Sequence, residues 1–400
     1  MERRVFRRGL INAFILLALT HILAASPGRQ VGAVAPTSLA AAAEREKATS
    51  HRSSATLSAK ESIGVSATAT PASGLIAGLS ERVHRTLDKY YLLPPSSRDD
   101  SSWNLLHWSI AYGVDAQVRV GNPRGEQVSA IGWLCENRPA GGTQLLHLTS
   151  GGLQLPVGAG MQGHPGQLLA MLAQSQVPSD FGVHVSNHQL SVADLVKHEQ
   201  TTCHGGMELT FKLIGIAHYA PSTESWINGR GEAWSLRRLL EEELQAPISA
   251  SSTCGGSHRL FALNYAVHRR DLEGLPIDGP WAAAARRTES YQASAFQLQN
   301  ADGSFSTAWF DRRESSGDYN RRLATSGHIV EWLAFSLPIE RLREERFEKG
   351  MEYVVDLLEK HQVGARDWGA TTHALHALSI YEQRILDAKP GQRRKYWNRN

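Results

Sequence analysis

Thr325-Ser326-Gly327-His328-Ile329-Val330-Glu331-Trp332-Leu333-Ala334-Phe335 is a small-residue turn that runs straight into an apolar segment. Ser, Thr and Gly at such a start suit a helix N-cap, because their side chains or flexible backbones help satisfy the first free N–H groups. The same order recurs at Ser101-Ser102-Trp103-Asn104-Leu105-Leu106-His107, at Gly160-Met161-Gln162-Gly163-His164 and at Thr202-Cys203-His204-Gly205-Gly206-Met207. It recurs again at Cys254-Gly255-Gly256-Ser257-His258 and at Gly369-Ala370-Thr371-Thr372-His373. The aligned positions 107, 164, 207, 258, 328 and 373 are 57, 43, 51, 70 and 45 residues apart, spacings that fit helix pairs.

Between the apolar segments lie charged, amphipathic ones: 81–93, 126–135, 192–200, 233–245, 281–299 and 340–361. A charged helix before an apolar one, six times over, predicts an outer ring of helices around an inner ring. The expected fold is therefore all-α, an (α/α)6 toroid over residues 79–388. One exception is expected within 143–156, where Leu-rich alternation around Ser150-Gly151-Gly152 predicts a small inserted β-hairpin.

Composition agrees with one large core: 400 residues, 42% hydrophobic and 20% charged, which excludes a disordered or fibrous chain. The formal charge is +3, but residues 1–25 hold Arg3, Arg4, Arg7 and Arg8 against Glu2. Residues 389–400 add Lys389, Arg393, Arg394, Lys395 and Arg399 with no acid, so residues 26–388 sum to −5. Nucleic-acid binding thus lacks its electrostatic footing. The basic tail, 389–400, is expected to be a solvated terminus.

The four arginines precede an apolar run over 10–25 with small residues at Ala24, Ala25 and Ser26, the order of a secretory signal. Arg3-Arg4-Val5-Phe6 also resembles the core of a twin-arginine export signal. Residues 1–25 are expected to be a signal peptide or signal anchor, and the protein to be periplasmic or extracellular. Membrane contact is expected only through this segment, if it stays uncleaved. Residues 26–78, rich in Ala, Ser, Thr and Gly and without an aromatic residue, read as a disordered tether.

Phe296-x-x-Gln299-x-x-x-Gly303-Ser304-Phe305, with Asp302 before the glycine, resembles the glutamine and aromatic repeat of the terpenoid cyclase and protein prenyltransferase superfamily, and 362–375 is a looser copy. The resemblance implies a central cavity at the N-terminal ends of the inner helices. The Asp-x-Asp-Asp, Asp-Asp-x-x-Asp and Asp-x-Cys motifs of those families do not occur, so it implies fold and not chemistry.

Five of the 17 histidines hold the aligned position: His107, His164, His258, His328 and His373. Glu331, one turn beyond His328 and beside Trp332, His328 itself and His373 are the candidate catalytic residues; pairing of Glu331 with Arg321 or Arg322 is the alternative. Cys203, His204, Cys254 and His258, at consecutive inner-helix starts, are candidate zinc ligands. Cys203-His204-Gly205 resembles a zinc-ligand motif of the lanthionine-synthetase cyclases. A Cys203–Cys254 disulfide and two unlinked buried thiols are the competing readings. His376 reads as packing, and the polar loop 302–322 as a lid over a cavity mouth.

Three functions remain open from the sequence. One is an exported cavity protein that binds or processes a small-molecule, glycan or peptide ligand, with zinc as the cofactor. The second is a polysaccharide lyase or glycoside hydrolase, which calls for exposed Trp103, Trp108, Trp309 or Trp332. The third is a noncatalytic exported scaffold for a protein partner, which calls for a cavity filled by a complete polar network.

Overall fold

A computed structural model of the chain describes residues 71–360 and 368–396, all within the compact unit 67–400. The expected signal, most of the expected tether, residues 361–367 and residues 397–400 lie outside the described residues.

In chain order the elements are α1 (Pro71–Tyr91), α2 (Ser102–Tyr112), β1 (Gln117–Arg119), β2 (Gln127–Ser129), α3 (Ala130–Cys135), β3 (His147–Thr149), β4 (Gly152–Gln154) and α4 (Gln167–Gln174). They continue with β5 (Gly182–Val185), β6 (His188–Ser191), α5 (Val192–Thr201), α6 (Thr210–Tyr219), β7 (Ser225–Ile227), β8 (Ala233–Ser235) and α7 (Leu236–Gln245). The last are α8 (Ser257–Leu272), α9 (Gly279–Leu298), α10 (Tyr319–Ser336), α11 (Glu345–Lys360) and α12 (Trp368–Ile385).

The all-α expectation is corrected by these strands. Four two-stranded antiparallel sheets stand among the helices, so the described fold is mixed in content. Only β3–β4 falls where a hairpin was expected; β1–β2, β5–β6 and β7–β8 were not foreseen. Each of these three leads directly into a helix, and the last strand residue is that helix's N-cap. The hydroxyls of Ser129 and Ser235 accept from the amides of Gly132 and Arg238, and Ser191 forms a capping box with Asp194. Strand and helix are thus welded without a loop. That is why 126–129 and 233–235 read as the beginnings of helices.

The even-numbered helices form a closed circuit of contacts, α2 on α4, α4 on α6, α6 on α8, α8 on α10, α10 on α12, and α12 back on α2. Their buried residues are largely apolar, with a few polar and charged side chains among them. The odd-numbered helices back this circuit from outside: α5 on α6, α7 and α9 on α8, α11 on α10, and α1 on α12.

Buried charges tie the layers together. Lys212 on α6 pairs with Glu199 on α5 and donates to the Thr202 hydroxyl at 2.7 Å. Glu243 on α7 accepts from Thr210 at 2.7 Å and from Arg259 on α8 at 3.0 Å. The glutamine of the aromatic motif is structural. Gln299 Nε2 donates to the carbonyls of Gly303 and Arg346, both at 2.9 Å, joining the end of α9 to the start of α11.

The basic tail differs from the expected solvated terminus. Arg393 is only 5% exposed, with Asp88 at 3.0 Å and Glu382 at 2.9 Å, so the tail is clamped between α1 and α12.

Candidate metal centre

Cys254, Gly255 and Gly256 have φ values of +46, +63 and +83, three consecutive left-handed residues that reverse the chain just before α8. Glycine is required at the second, since a Cβ on Gly255 would lie 2.1 Å from the indole of Trp309. Cys254 adopts the same conformation without that freedom, a strain of about 1 kcal/mol or more that places its thiol beside the first turn of α8. The Ser257 hydroxyl fixes the turn by donating to the Cys254 carbonyl at 2.8 Å.

The sulfur of Cys254 and ring nitrogens of His258 and His328 all lie within 4.8 Å of one another, a cluster that could hold a metal ion. His328 Nδ1 donates to the Ala324 carbonyl at 2.7 Å in its own helix, which leaves Nε2 carrying the lone pair. That Nε2 is buried with no hydrogen-bond partner, and so are both ring nitrogens of His258. Buried imidazole nitrogens without partners are costly, and one ring nitrogen of His258 together with Nε2 of His328 could be satisfied by a cation shared with the Cys254 thiol. Zinc bonded to sulfur and nitrogen sets its ligand atoms about 3.3–3.8 Å apart, so small side-chain movements would close the cluster onto one ion.

The other histidines gather around this point. The His373 ring lies 3.9 Å from that of His328 and 5.0 Å from that of His258, centroid to centroid. His107 lies 5.5 Å from His373, and His164 lies 5.8 Å from His258. His107 repeats the anchoring of His328: its Nδ1 donates to the carbonyl four residues back, Trp103, at 2.7 Å. Burial holds the imidazoles of His107 and His328 down to about 3, with the nearby His373 adding to the effect, and lowers His258 in the same direction.

Glu331 sits one turn beyond His328 on α10. His373 and His376, one turn apart on α12, reach its two oxygens from Nδ1 at 2.8 and 2.5 Å. Burial pushes this carboxyl up, but the attraction of His373 and the hydrogen bonds from both rings overcome it, holding Glu331 well below the usual carboxylate range. An ionised carboxylate only accepts, so both Nδ1 atoms donate to it, which fixes the orientation of both rings. The arginines weighed as partners are engaged elsewhere or apart: Arg321 donates to the Thr307 carbonyl at 2.8 Å, and the buried Nε of Arg322 has no partner.

Of the candidate ligands, Cys254 and His258 join the cluster, and His328 completes it. Cys203 and His204 are outside it. Cys203 is buried at the end of α5, seven residues before α6, where burial pushes its thiol up to about 12, and His204 Nδ1 lies 3.1 Å from the adjacent Gly205 carbonyl. The three cysteines form no disulfide. His376, read as packing, is instead the second partner of the Glu331 carboxylate; its spacing of three from His373 was the available signal.

A cavity of about 970 Å³ opens toward the C-terminal ends of the inner helices, lined among others by Tyr265, Arg269 and Phe335 and, nearer the middle of the circuit, by Phe261 and His376. His376 therefore touches both the cavity and Glu331, and Glu331 in turn holds the His373 ring that packs against His328 at a tilt of 31°. Trp309, 4% exposed and at φ +58, closes the metal-centre end, its ring 5.9 Å from that of His328.

Comparison with known protein families, with characterised proteins and with solved structures finds no match for this chain. Function has to be argued from the site itself.

Proposed function

We propose that this protein is a zinc-dependent enzyme acting on a small ligand, with Cys254, His258 and His328 as the metal ligands. The observation that carries the reading is the set of orphaned ring nitrogens on His258 and His328 beside the Cys254 thiol. Three protein ligands leave a fourth position open, the pattern of catalytic rather than structural zinc. When bound, such an ion lowers the pKa of a water at that position toward 7.

The remaining roles fall to the chain. His373 Nε2 accepts the proton, and Glu331 fixes that tautomer and stabilises the imidazolium that results. Trp309 excludes bulk water from the ring cluster. The arginine-rich start of the chain supports an exported location.

The two competing functions lack what they call for. Trp108, Trp309 and Trp332 are buried and Trp103 is half-buried, which leaves no run of exposed indoles for a glycan among the described residues. The orphaned nitrogens leave the polar network incomplete, which does not suit a filled scaffold.

Metal analysis of the purified protein tests the proposal. About one zinc per chain is expected, falling at least fivefold in Cys254→Ser and in His258→Ala, with Cys203→Ser unchanged. Less than ~0.2 zinc per chain in the parent protein after zinc-supplemented expression would overturn it.

A further inference from the structure

The cavity toward the C-terminal ends of the inner helices is lined by none of Cys254, His258 and His328 and has its own chemistry. One wall is a stack of aromatic rings: Phe335 lies 4.5 Å from Phe261 and 5.5 Å from Tyr265, with planes within 23° of each other. Leu272, 62% exposed, also lines it and extends the apolar surface outward. Such a wall suits a flat or aliphatic body.

Arg269 supplies the polar feature. Its Nε is buried without a hydrogen-bond partner, and its guanidinium forms no ion pair among the described residues. The other arginine of the lining, Arg384, is committed: its Nη1 donates to the carbonyls of Ala334 and Leu337 at 2.6 and 2.7 Å and to that of Phe335. Arg384 thereby offsets the partial negative charge where α10 ends. Asp271 lines the cavity too, but it is exposed and does not pair with Arg269.

The charge of Arg269 is felt inside the cavity. His218, which contacts the Tyr265 hydroxyl at 2.8 Å, is lowered to about 4, by burial first and by Arg269 second. A partly buried guanidinium with no counter-ion beside a polar-tipped aromatic stack is half of a charge-assisted pair.

We propose that this cavity binds an amphiphilic carboxylate, its apolar body against Phe261, Tyr265 and Phe335 and its carboxylate on Arg269. None of the proposed zinc ligands lines this cavity. Gln174, Gln176 and His218 stand around the same space as further donors to the head group.

Fluorescence titration of the full chain with 1-pyrenebutyrate, and with the uncharged 1-pyrenebutanol, tests this. The parent protein is expected to bind one pyrenebutyrate per chain, at least tenfold more tightly than the alcohol. Arg269→Gln should erase that preference while leaving pyrenebutanol affinity within about twofold, and Arg269→Lys should retain part of it. Val267→Trp, which fills the cavity from α8, should remove both ligands. Equal affinity for acid and alcohol in the parent protein, a preference that survives in Arg269→Gln, or binding that persists in a folded Val267→Trp protein would each overturn the proposal. The Arg269 pair decides the matter even if the tryptophan variant does not fold.

Discussion

Glu331 Oε2 accepts a hydrogen bond from His373 Nδ1 at 2.8 Å, across the contact between α10 and α12. The second oxygen is taken by His376, so the carboxylate is saturated by two buried rings. Glu331→Gln replaces one acceptor by an NH2 donor, which must face an Nδ1 that was itself donating. One histidine has to change tautomer. The expected result is a loss of about 3 kcal/mol in urea denaturation, as for breaking a buried ionic pair. The variant should also show an imidazole 15N shift marking a changed tautomer. A stability within about 0.5 kcal/mol of the parent, the size of an ordinary neutral surface change, would show that the carboxylate does not anchor the two rings.

Zinc and folding are linked if the cluster is the metal site. An ion at about 1,000 times its dissociation constant stabilises the folded state by about 4 kcal/mol, so chelation should lower the melting temperature by several degrees. The shift should vanish in Cys254→Ser, which starts from the metal-free value. A Cys254→Ser protein that still loses the same stability on chelation would place the ion elsewhere.

Two glycines separate steric from conformational cost. Gly206 is at φ +80 with open space where a Cβ would sit, and Gly255 is at φ +63 with the Trp309 indole there. Gly206→Ala should cost about 1 kcal/mol, from the left-handed backbone alone. Gly255→Ala should cost clearly more, about 2–4 kcal/mol, since the indole has to leave a packed position. Equal effects in a thermal-melt comparison would mean that Trp309 yields freely and does not seal the site.

The positions of His258 and His328 were readable because small residues followed by an apolar run mark a crowded, buried helix segment, although only His258 stands in a first turn; Thr325-Ser326-Gly327 lies inside α10, which starts at Tyr319. The choice between Cys203 and Cys254 was not readable. Both precede helices and both adjoin glycines, but three left-handed residues carry Cys254 toward α10 while Cys203 closes α5. The role of His376 depends on which residue of α10 faces it, a long-range fact with no local trace. The unforeseen hairpins have strands of three or four residues, too short for alternation to stand out, and each is fused to a helix by its capping serine. Arg393 looked like the rest of a basic run because nothing in 389–400 indicates that Asp88 and Glu382 lie opposite it.

Arg393 predicts a stability role for the C-terminal arm. Its guanidinium contacts Asp88 and the 2%-exposed side chain of Glu382, and Asp115 accepts from the Gly391 and Arg393 amides at 3.0 and 3.2 Å. Removing the cation leaves Glu382 buried and short of a partner. Arg393→Ala should therefore cost about 3–5 kcal/mol in chemical denaturation. Arg394→Ala, at a side chain more than half exposed and 3.7 Å from Asp115, should cost less than about 1 kcal/mol. Equal costs for the two would show that the arm is held by its backbone alone.

The metal-free protein should be acid-sensitive, with a sign fixed by His107. Burial first, and His373 second, lower its imidazole to about 3 despite the Trp103 carbonyl, whereas an unfolded histidine titrates near 6.5. Between those values the unfolded chain binds a proton that the folded chain does not, so stability is complete above about pH 6.5 and declines as pH falls. One such ring contributes about 1.4 kcal/mol per pH unit, or about 2 kcal/mol between pH 6.5 and 5. His107→Gln can still donate to the Trp103 carbonyl but has no proton to take up, so it should flatten the slope by that amount. Urea midpoints measured at half-unit steps with chelator present check this. An unchanged slope in His107→Gln would mean that the ring is protonated in the folded chain and that the histidine cluster admits water.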